Sequence, residues 1–115
     1  MDTSNQTIRA WGKYTILYNI KGCKVKELYV VPYGSLSMQK HQLRNELWFV
    51  ISGSCELYSK MSSGYQLPTR SLRTHSYILI EKDTWHQLVN PFNVPCKLIE
   101  IQFGDLCDES DIERQ

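Results

Sequence analysis

"SLSMQKHQLRNELWFVISG", residues 35–53, joins three closely spaced polar side chains to an apolar run that ends at a glycine. The three are an amide, an imidazole and a carboxylate, on Gln39, His41 and Glu46. Residues two apart on a strand point to the same face, so Gln39 and His41 project together. Residues 42–45 can turn the chain back, and Glu46 then opens the next antiparallel strand close to His41. The stretch therefore predicts either a hairpin that carries polar side chains or most of a metal site.

A second stretch, "DTWHQLVNP" at residues 83–91, offers a candidate for a further ligand. His86 stands at the start of a predicted strand, after the turn-like sequence of residues 82–84. A divalent metal held by an amide, an imidazole and a carboxylate takes its fourth ligand from elsewhere in the fold, and His86 is the best candidate. His75, by contrast, ends a predicted loop without a partner at ligand spacing, and we expect it to be a surface residue.

Composition and charge narrow the class of protein. The 115 residues, 42% hydrophobic and 22% charged, predict a single globular domain over residues 1–115. A net charge of +1 provides no basic surface, which argues against nucleic-acid binding. No apolar run is long enough to span a bilayer, so we expect no membrane partner. The polar start MDTSNQT lacks the plan of a signal peptide and predicts a cytoplasmic protein, in which the scattered cysteines are reduced.

The pattern along the chain predicts strands and not helices, because no segment keeps a helical period. Runs of β-branched and aromatic residues bounded by turn signals predict strands at residues 14–20, 23–31, 36–41, 46–52, 55–59, 76–80, 86–89 and 96–103. Many short strands at regular spacing predict an all-β sandwich or barrel. Residues 60–74 are predicted to form a long loop, residues 1–8 a flexible segment, and the acidic tail a helical turn or a frayed end.

The two polar stretches resemble the two motifs of the cupin superfamily. Five positions match the first motif, with Gln in place of the more usual first His: Gly34, Gln39, His41, Glu46 and Gly53. His86 and Asn90 resemble the second motif. Further matches run in order from about Arg9 to Arg114: RAWGKY, KVKEL, LSMQKH, RNELW, VISG, LVNP, LIEIQFG and DESDIER. Together they resemble the cupin domain of type II mannose-6-phosphate isomerases, which is often fused behind a mannose-1-phosphate guanylyltransferase.

The resemblance implies a single cupin barrel, also called a double-stranded β-helix or jelly roll, with one divalent metal. The family's ligands fall on Gln39, His41, Glu46 and His86, and all four are present. By ligand softness this set suits zinc first, with iron, manganese, cobalt or nickel as alternatives. The implied function is interconversion of mannose 6-phosphate and fructose 6-phosphate through an enediol, with the metal as a Lewis acid.

The resemblance also suggests which residues meet a sugar-phosphate ligand. Three arginines stand where the family has Arg and are expected to bind the phosphate: Arg9, Arg44 and Arg114. Trp85, next to His86, is expected to touch the substrate. Lys26, on an alternating strand, is the candidate for the general acid or base of the reaction.

Several positions depart from the family pattern and leave two alternatives open. Gln42, Leu43 and Leu47 stand where the family usually has histidines, and Glu81 replaces a proline. Because one barrel supports many activities, the chain could instead be a non-catalytic module that binds a sugar or nucleotide-sugar, or a metal-dependent oxygenase. We also expect a homodimer, in which the strand at residues 14–20 covers an open sheet edge of the partner.

Overall fold

The computed structural model describes residues 5–115, which form eleven β-strands and no helix. The strands are β1 (Gln6–Arg9), β2 (Gly12–Ile20), β3 (Cys23–Val30), β4 (Gln39–Lys40), β5 (Arg44–Ser52), β6 (Cys55–Lys60), β7 (Arg70–Leu72), β8 (Tyr77–Ile80), β9 (Trp85–Val89), β10 (Cys96–Gly104) and β11 (Glu113–Arg114). The prediction of an all-β domain is therefore confirmed. Accordingly, this part of the chain contains no helix that could cross a membrane.

The strands assemble into two sheets in which all the strand pairs are antiparallel. One sheet has six strands in the order β1-β2-β3-β10-β5-β8, and the other has five in the order β11-β4-β9-β6-β7. Burial alternates along the central strands, as expected for strands with one face on a core. The inward side chains of both sheets form one apolar cluster: Leu28, Val30, Trp48, Val50, Cys55, Leu57, Leu72, Ile80, Leu88, Cys96 and Leu98.

Sequence patterns missed three of the four edge strands, β1, β7 and β11. Such strands depend on the neighbour that they pair with more than on their own composition. β7 lies within the predicted loop of residues 60–74 and pairs with β6, so that segment is not loop throughout. β1 overlaps the predicted flexible segment of residues 1–8, of which residues 1–4 lie outside the described residues.

β2 contains the segment that we expected to pair with a partner subunit. In the structure it pairs with β1 and β3 of its own chain. The homodimer therefore stays a prediction. All four cysteines are free thiols, in agreement with the expected reduced state.

Asn90, the last residue of the second motif, holds the turn after β9 in place. It is fully buried, and its Nδ2 donates to the carbonyl oxygens of Val30 at 3.3 Å, Val31 at 3.2 Å and Val94 at 2.9 Å. Its Oδ1 accepts a hydrogen bond from the backbone N–H of Phe92 at 3.0 Å. Buried polar groups need such partners, so Asn90 serves the turn and not the site chemistry.

Candidate metal centre

Three ionisable side chains converge inside the barrel from separate segments. His41 follows β4, Glu46 lies on β5 and His86 lies on β9, so the two sheets both contribute. Their potential ligand atoms all lie within 4.8 Å of one another, and all three residues are buried. The structure thus brings together three of the four residues that the sequence assigned to a metal.

The two imidazoles are oriented by backbone carbonyls. His41 Nδ1 lies 2.7 Å from the carbonyl oxygen of Asp111, and His86 Nδ1 lies 3.0 Å from that of Thr84. A carbonyl can only accept, so each Nδ1 carries the proton and each Nε2 is left with a lone pair. These Nε2 atoms lie 3.1 Å and 3.7 Å from the carboxylate oxygens of Glu46. Histidines that bind metals in proteins are held in this way, so the cluster fits a metal ion.

Glu46 lies at the centre of the cluster as a charged carboxylate. Its Oε2 accepts a hydrogen bond from Arg44 Nε at 3.1 Å and lies 3.0 Å from Arg44 Nη2, and its Oε1 accepts one from Trp48 Nε1 at 3.0 Å. Burial raises the pKa of Glu46, but the imidazoles beside it and the Arg44 guanidinium outweigh burial and hold this pKa well below the usual range. Burial lowers the pKa of His86, which favours the neutral imidazole that binds metals.

Gln39, the fourth predicted ligand, lies beside the cluster. Its Cα is paired with that of His86 across β4 and β9, and it lines a small cavity together with Glu46 and His86. Gln39 Nε2 donates to Ser37 Oγ at 2.9 Å, which leaves the amide oxygen for another partner. Its role as a ligand stays a prediction.

A cleft of about 250 Å³ adjoins the cluster and contains four cationic side chains. All four were singled out from the sequence as ligand-binding or catalytic candidates: Arg9, Lys26, Arg44 and Arg114. The cleft shares four lining residues with the small cavity beside Glu46 and His86: Leu36, Ser37, Gln39 and Glu100. The metal cluster and the cationic cleft are therefore parts of one site.

Lys26 points into the cleft and is nearly fully buried. Its Nζ lies 3.0 Å from Glu109 Oε1 and 4.2 Å from the centre of the Tyr14 ring. Lys26 is thus paired with a carboxylate that is itself half exposed. The predicted role of Lys26 as an acid or base stays a prediction.

Trp85 is not among the side chains that line the cleft or the small cavity. Its ring instead packs against two ammonium groups, with Lys40 Nζ 5.0 Å and Lys60 Nζ 5.8 Å from the ring centre. The expected contact of Trp85 with a substrate stays a prediction that its position does not favour.

Glu100 is a site residue that the sequence reasoning missed. It lies on the inward face of β10, is 7% exposed and lines both the cleft and the small cavity. Burial, together with repulsion from Glu46, raises the pKa of Glu100 to about 7. A charged residue at an inward position of the largely apolar run LIEIQFG was the signal that could have revealed it.

The acidic tail, residues 105–115, packs against the site and does not form a helical turn. Besides the carbonyl that His41 contacts, Asp111 offers its carboxylate, which accepts from the backbone N–H groups of Gln42 at 3.0 Å and Leu43 at 2.8 Å. Beyond it, β11 pairs with β4. The tail therefore fixes the loop between the first two ligand-bearing segments.

This two-sheet barrel with an interior His/Glu/His cluster defines the class of protein by its fold: the chain is a cupin barrel. A Cupin 2 conserved barrel domain protein from Salinispora arenicola CNS-205 is similar, with a TM-score of 0.72 at 18% identity over 96% of this chain and 87% of that chain. At this identity the likeness shows the fold alone. The predicted single cupin barrel is confirmed.

The family is shown by sequence. The family described as Mannose-6-phosphate isomerase C-terminal matches residues 1–115, and the chain belongs to it. Mannose-1-phosphate guanylyltransferase 2 of Escherichia coli O157:H7 is 34% identical over 110 residues, which are 96% of this chain and 22% of that protein. Alginate biosynthesis protein AlgA of Pseudomonas putida is 37% identical over 109 residues, 95% of this chain and 21% of that protein.

These names correct the predicted function. Relatives such as the Escherichia coli protein are named as guanylyltransferases and not as isomerases, so the prediction of a mannose-6-phosphate isomerase is wrong. The chain spans only about a fifth of the length of the curated relatives it matches. Their nucleotidyl transfer is therefore not assigned to this domain.

Proposed function

We propose that this domain binds one divalent metal ion and, in the adjoining cleft, a sugar phosphate. The observation that carries the proposal is the continuity of two features: the His41, Glu46 and His86 cluster shares a wall with a cleft that contains four cationic side chains. A neutral metal-free pocket would need neither the oriented imidazoles nor the buried carboxylate.

The donor set supports zinc as the preferred ion. Two imidazole nitrogens and a carboxylate suit zinc, and also iron, manganese, cobalt or nickel, better than metals that require thiolates. Gln39 can supply a fourth protein ligand through its amide oxygen. A bound ion would polarise a ligand oxygen as a Lewis acid.

The charge of the cleft supports a phosphorylated ligand. Four cations face two carboxylates there, Glu100 and Glu109, and arginine recognises phosphate through paired hydrogen bonds. The names of the relatives point to mannose phosphates as the first ligands to test.

The proposed metal binding is tested by replacing one of the side chains that would hold the metal. His86→Ala is expected to weaken zinc binding by more than about 100-fold. It removes a side chain proposed to bind the metal directly, and mutation of residues that only hydrogen-bond to metal ligands already lowers metal affinity by about 10–100-fold. The matched control is His75→Ala, since His75 is exposed and stacks on Phe49 with ring centres 6.0 Å apart. Elemental analysis after dialysis, with titration against a chromogenic chelator, measures the effect. Full zinc occupancy in His86→Ala would show that the ligand assignment is wrong.

The ligand half is tested by calorimetry on zinc-loaded protein with mannose 1-phosphate and mannose 6-phosphate. Arg114→Gln is expected to weaken binding by about tenfold or more, because it removes a charged hydrogen bond to the phosphate. Arg73→Gln, a change of the same kind in an exposed segment, is expected to bind like the wild type. If the zinc-loaded wild type binds neither mannose phosphate, this half of the proposal fails.

A further inference from the structure

Arg44 contacts two of the atoms in the cluster that would act as metal ligands. Its Nη2 lies 3.1 Å from His41 Nε2 and 3.0 Å from Glu46 Oε2, and its Nε donates to the same carboxylate oxygen at 3.1 Å. The residue is 3% exposed, so these contacts are shielded from water. A guanidinium has only donors, so it engages the lone pairs of both ligand atoms.

The guanidinium and a metal ion cannot use these lone pairs together. Zinc binds imidazole nitrogen and carboxylate oxygen at about 2.0–2.2 Å, which would place the ion beside Nη2 between the same two atoms. Two positive charges at that distance in a buried site repel strongly. One of them must leave, and only the guanidinium is attached to a flexible side chain.

The displaced guanidinium has a defined place to go. Arg44 already lines the cationic cleft, together with Arg9 and Arg114. A buried cation that loses its carboxylate needs a new anion, and a phosphate offers two matching oxygens. Without such a ligand, the released Arg44 would share the two carboxylates of the cleft, Glu100 and Glu109, with three other cationic side chains.

We propose that Arg44 couples the two halves of the site: metal binding releases it from Glu46, and it then binds the phosphate of the ligand. This inference rests on the proposed function: its phosphate step needs both ligands, whereas the competition between Arg44 and the metal ion needs only the metal. By thermodynamic reciprocity, phosphate binding strengthens metal binding by the same factor as metal strengthens phosphate binding.

The test is a pair of binding measurements on Arg44→Gln with opposite expected signs. Zinc affinity, measured by chelator competition without any phosphate, is expected to rise by about tenfold or more, because the competing charged hydrogen bonds are gone. Affinity of the zinc-loaded protein for mannose 6-phosphate is expected to fall by about tenfold or more. A merely structural role of Arg44 would lower both affinities. Arg73→Gln is the matched control and is expected to change neither.

A second variant covers the case in which the first one does not fold. If Arg44→Gln is poorly folded, Arg44→Met removes the charge and keeps the apolar stem of the side chain, and the same opposite signs are expected. Unchanged or weaker zinc binding in both variants would overturn the inference, and so would parallel losses of zinc and phosphate affinity. If the wild type binds zinc but no mannose phosphate, the ligand half of the proposed function fails together with the coupling, while a rise in zinc affinity would still establish competition.

Discussion

Replacing Glu46 with glutamine is expected to abolish metal binding and to lower the free energy of unfolding by about 3–5 kcal/mol. The carboxylate is 2% exposed and is the shared partner of Arg44, His41 and Trp48. Glu46→Gln keeps the shape and an acceptor for Trp48 but leaves the guanidinium of Arg44 buried without an anion. Urea unfolding of chelator-treated protein measures the loss of stability, and chelator competition measures zinc affinity.

Two matched variants separate charge from shape. Glu27→Gln makes the same change on β3 of the same sheet, where Glu27 forms only a partly exposed ion pair with Lys97 at 3.7 Å, and is expected to cost less than about 1 kcal/mol. Arg44→Met combined with Glu46→Gln removes both charges and is expected to be more stable than Glu46→Gln alone, yet to bind no metal. A loss below 1 kcal/mol in Glu46→Gln would contradict this account of the cluster.

Gly53→Ala is expected to lower the free energy of unfolding by about 3–5 kcal/mol, as the sum of left-handed backbone strain and overpacking. Gly53 turns the chain between β5 and β6 with φ of 75°, and an added Cβ would lie 2.3 Å from the carbonyl oxygen of Pro95. The neighbour is backbone, so it cannot swing aside. This explains in physical terms why a glycine ends the stretch at residues 35–53.

Gly64 provides the control for this substitution. Its φ is 96°, but an added Cβ would meet nothing within 4 Å. Gly64→Ala therefore carries the backbone strain alone and is expected to cost about 1–2 kcal/mol. The difference between the two variants, measured by urea unfolding, isolates the clash with Pro95. Equal losses in both variants would refute the steric explanation.

Local patterns were enough to predict the class of fold and the proximity of His41 and Glu46. The period of two on β-strands, with a turn after His41, accounts for Glu46 lying beside it, and turn signals located the central strands. His86 was a candidate from its own stretch of sequence, and the resemblance to a known family supported its place in the cluster, because spatial proximity between residues so far apart along the chain leaves no local signal.

What could not be predicted depends on contacts between distant segments. The way in which the sheets and the tail meet determines three features of the site: the burial of Glu100, the pairing of Lys26 with Glu109, and the position of Trp85 outside the cleft. The position of Arg44 between both halves of the site is likewise set by packing and not by its sequence neighbours.

The departures from the family pattern also gain a physical explanation. Leu47 lies on the outer face of β5, paired with Leu79 and Ile101, and Leu43 and Glu81 are exposed. Gln42 is exposed as well, and none of the four departures lines the small cavity or the cleft. Substitutions at these positions therefore leave the cluster itself unchanged.

The hydrogen bond between His41 Nδ1 and the carbonyl of Asp111 has a consequence for the order of assembly. The bond joins residues 70 positions apart, whereas the three side chains of the cluster all lie within residues 41–86. A folding intermediate with both sheets formed but the tail undocked would contain every side chain of the cluster and yet lack a fixed tautomer at His41. Capture of a metal ion is thus expected to be a late event, completed when the tail docks.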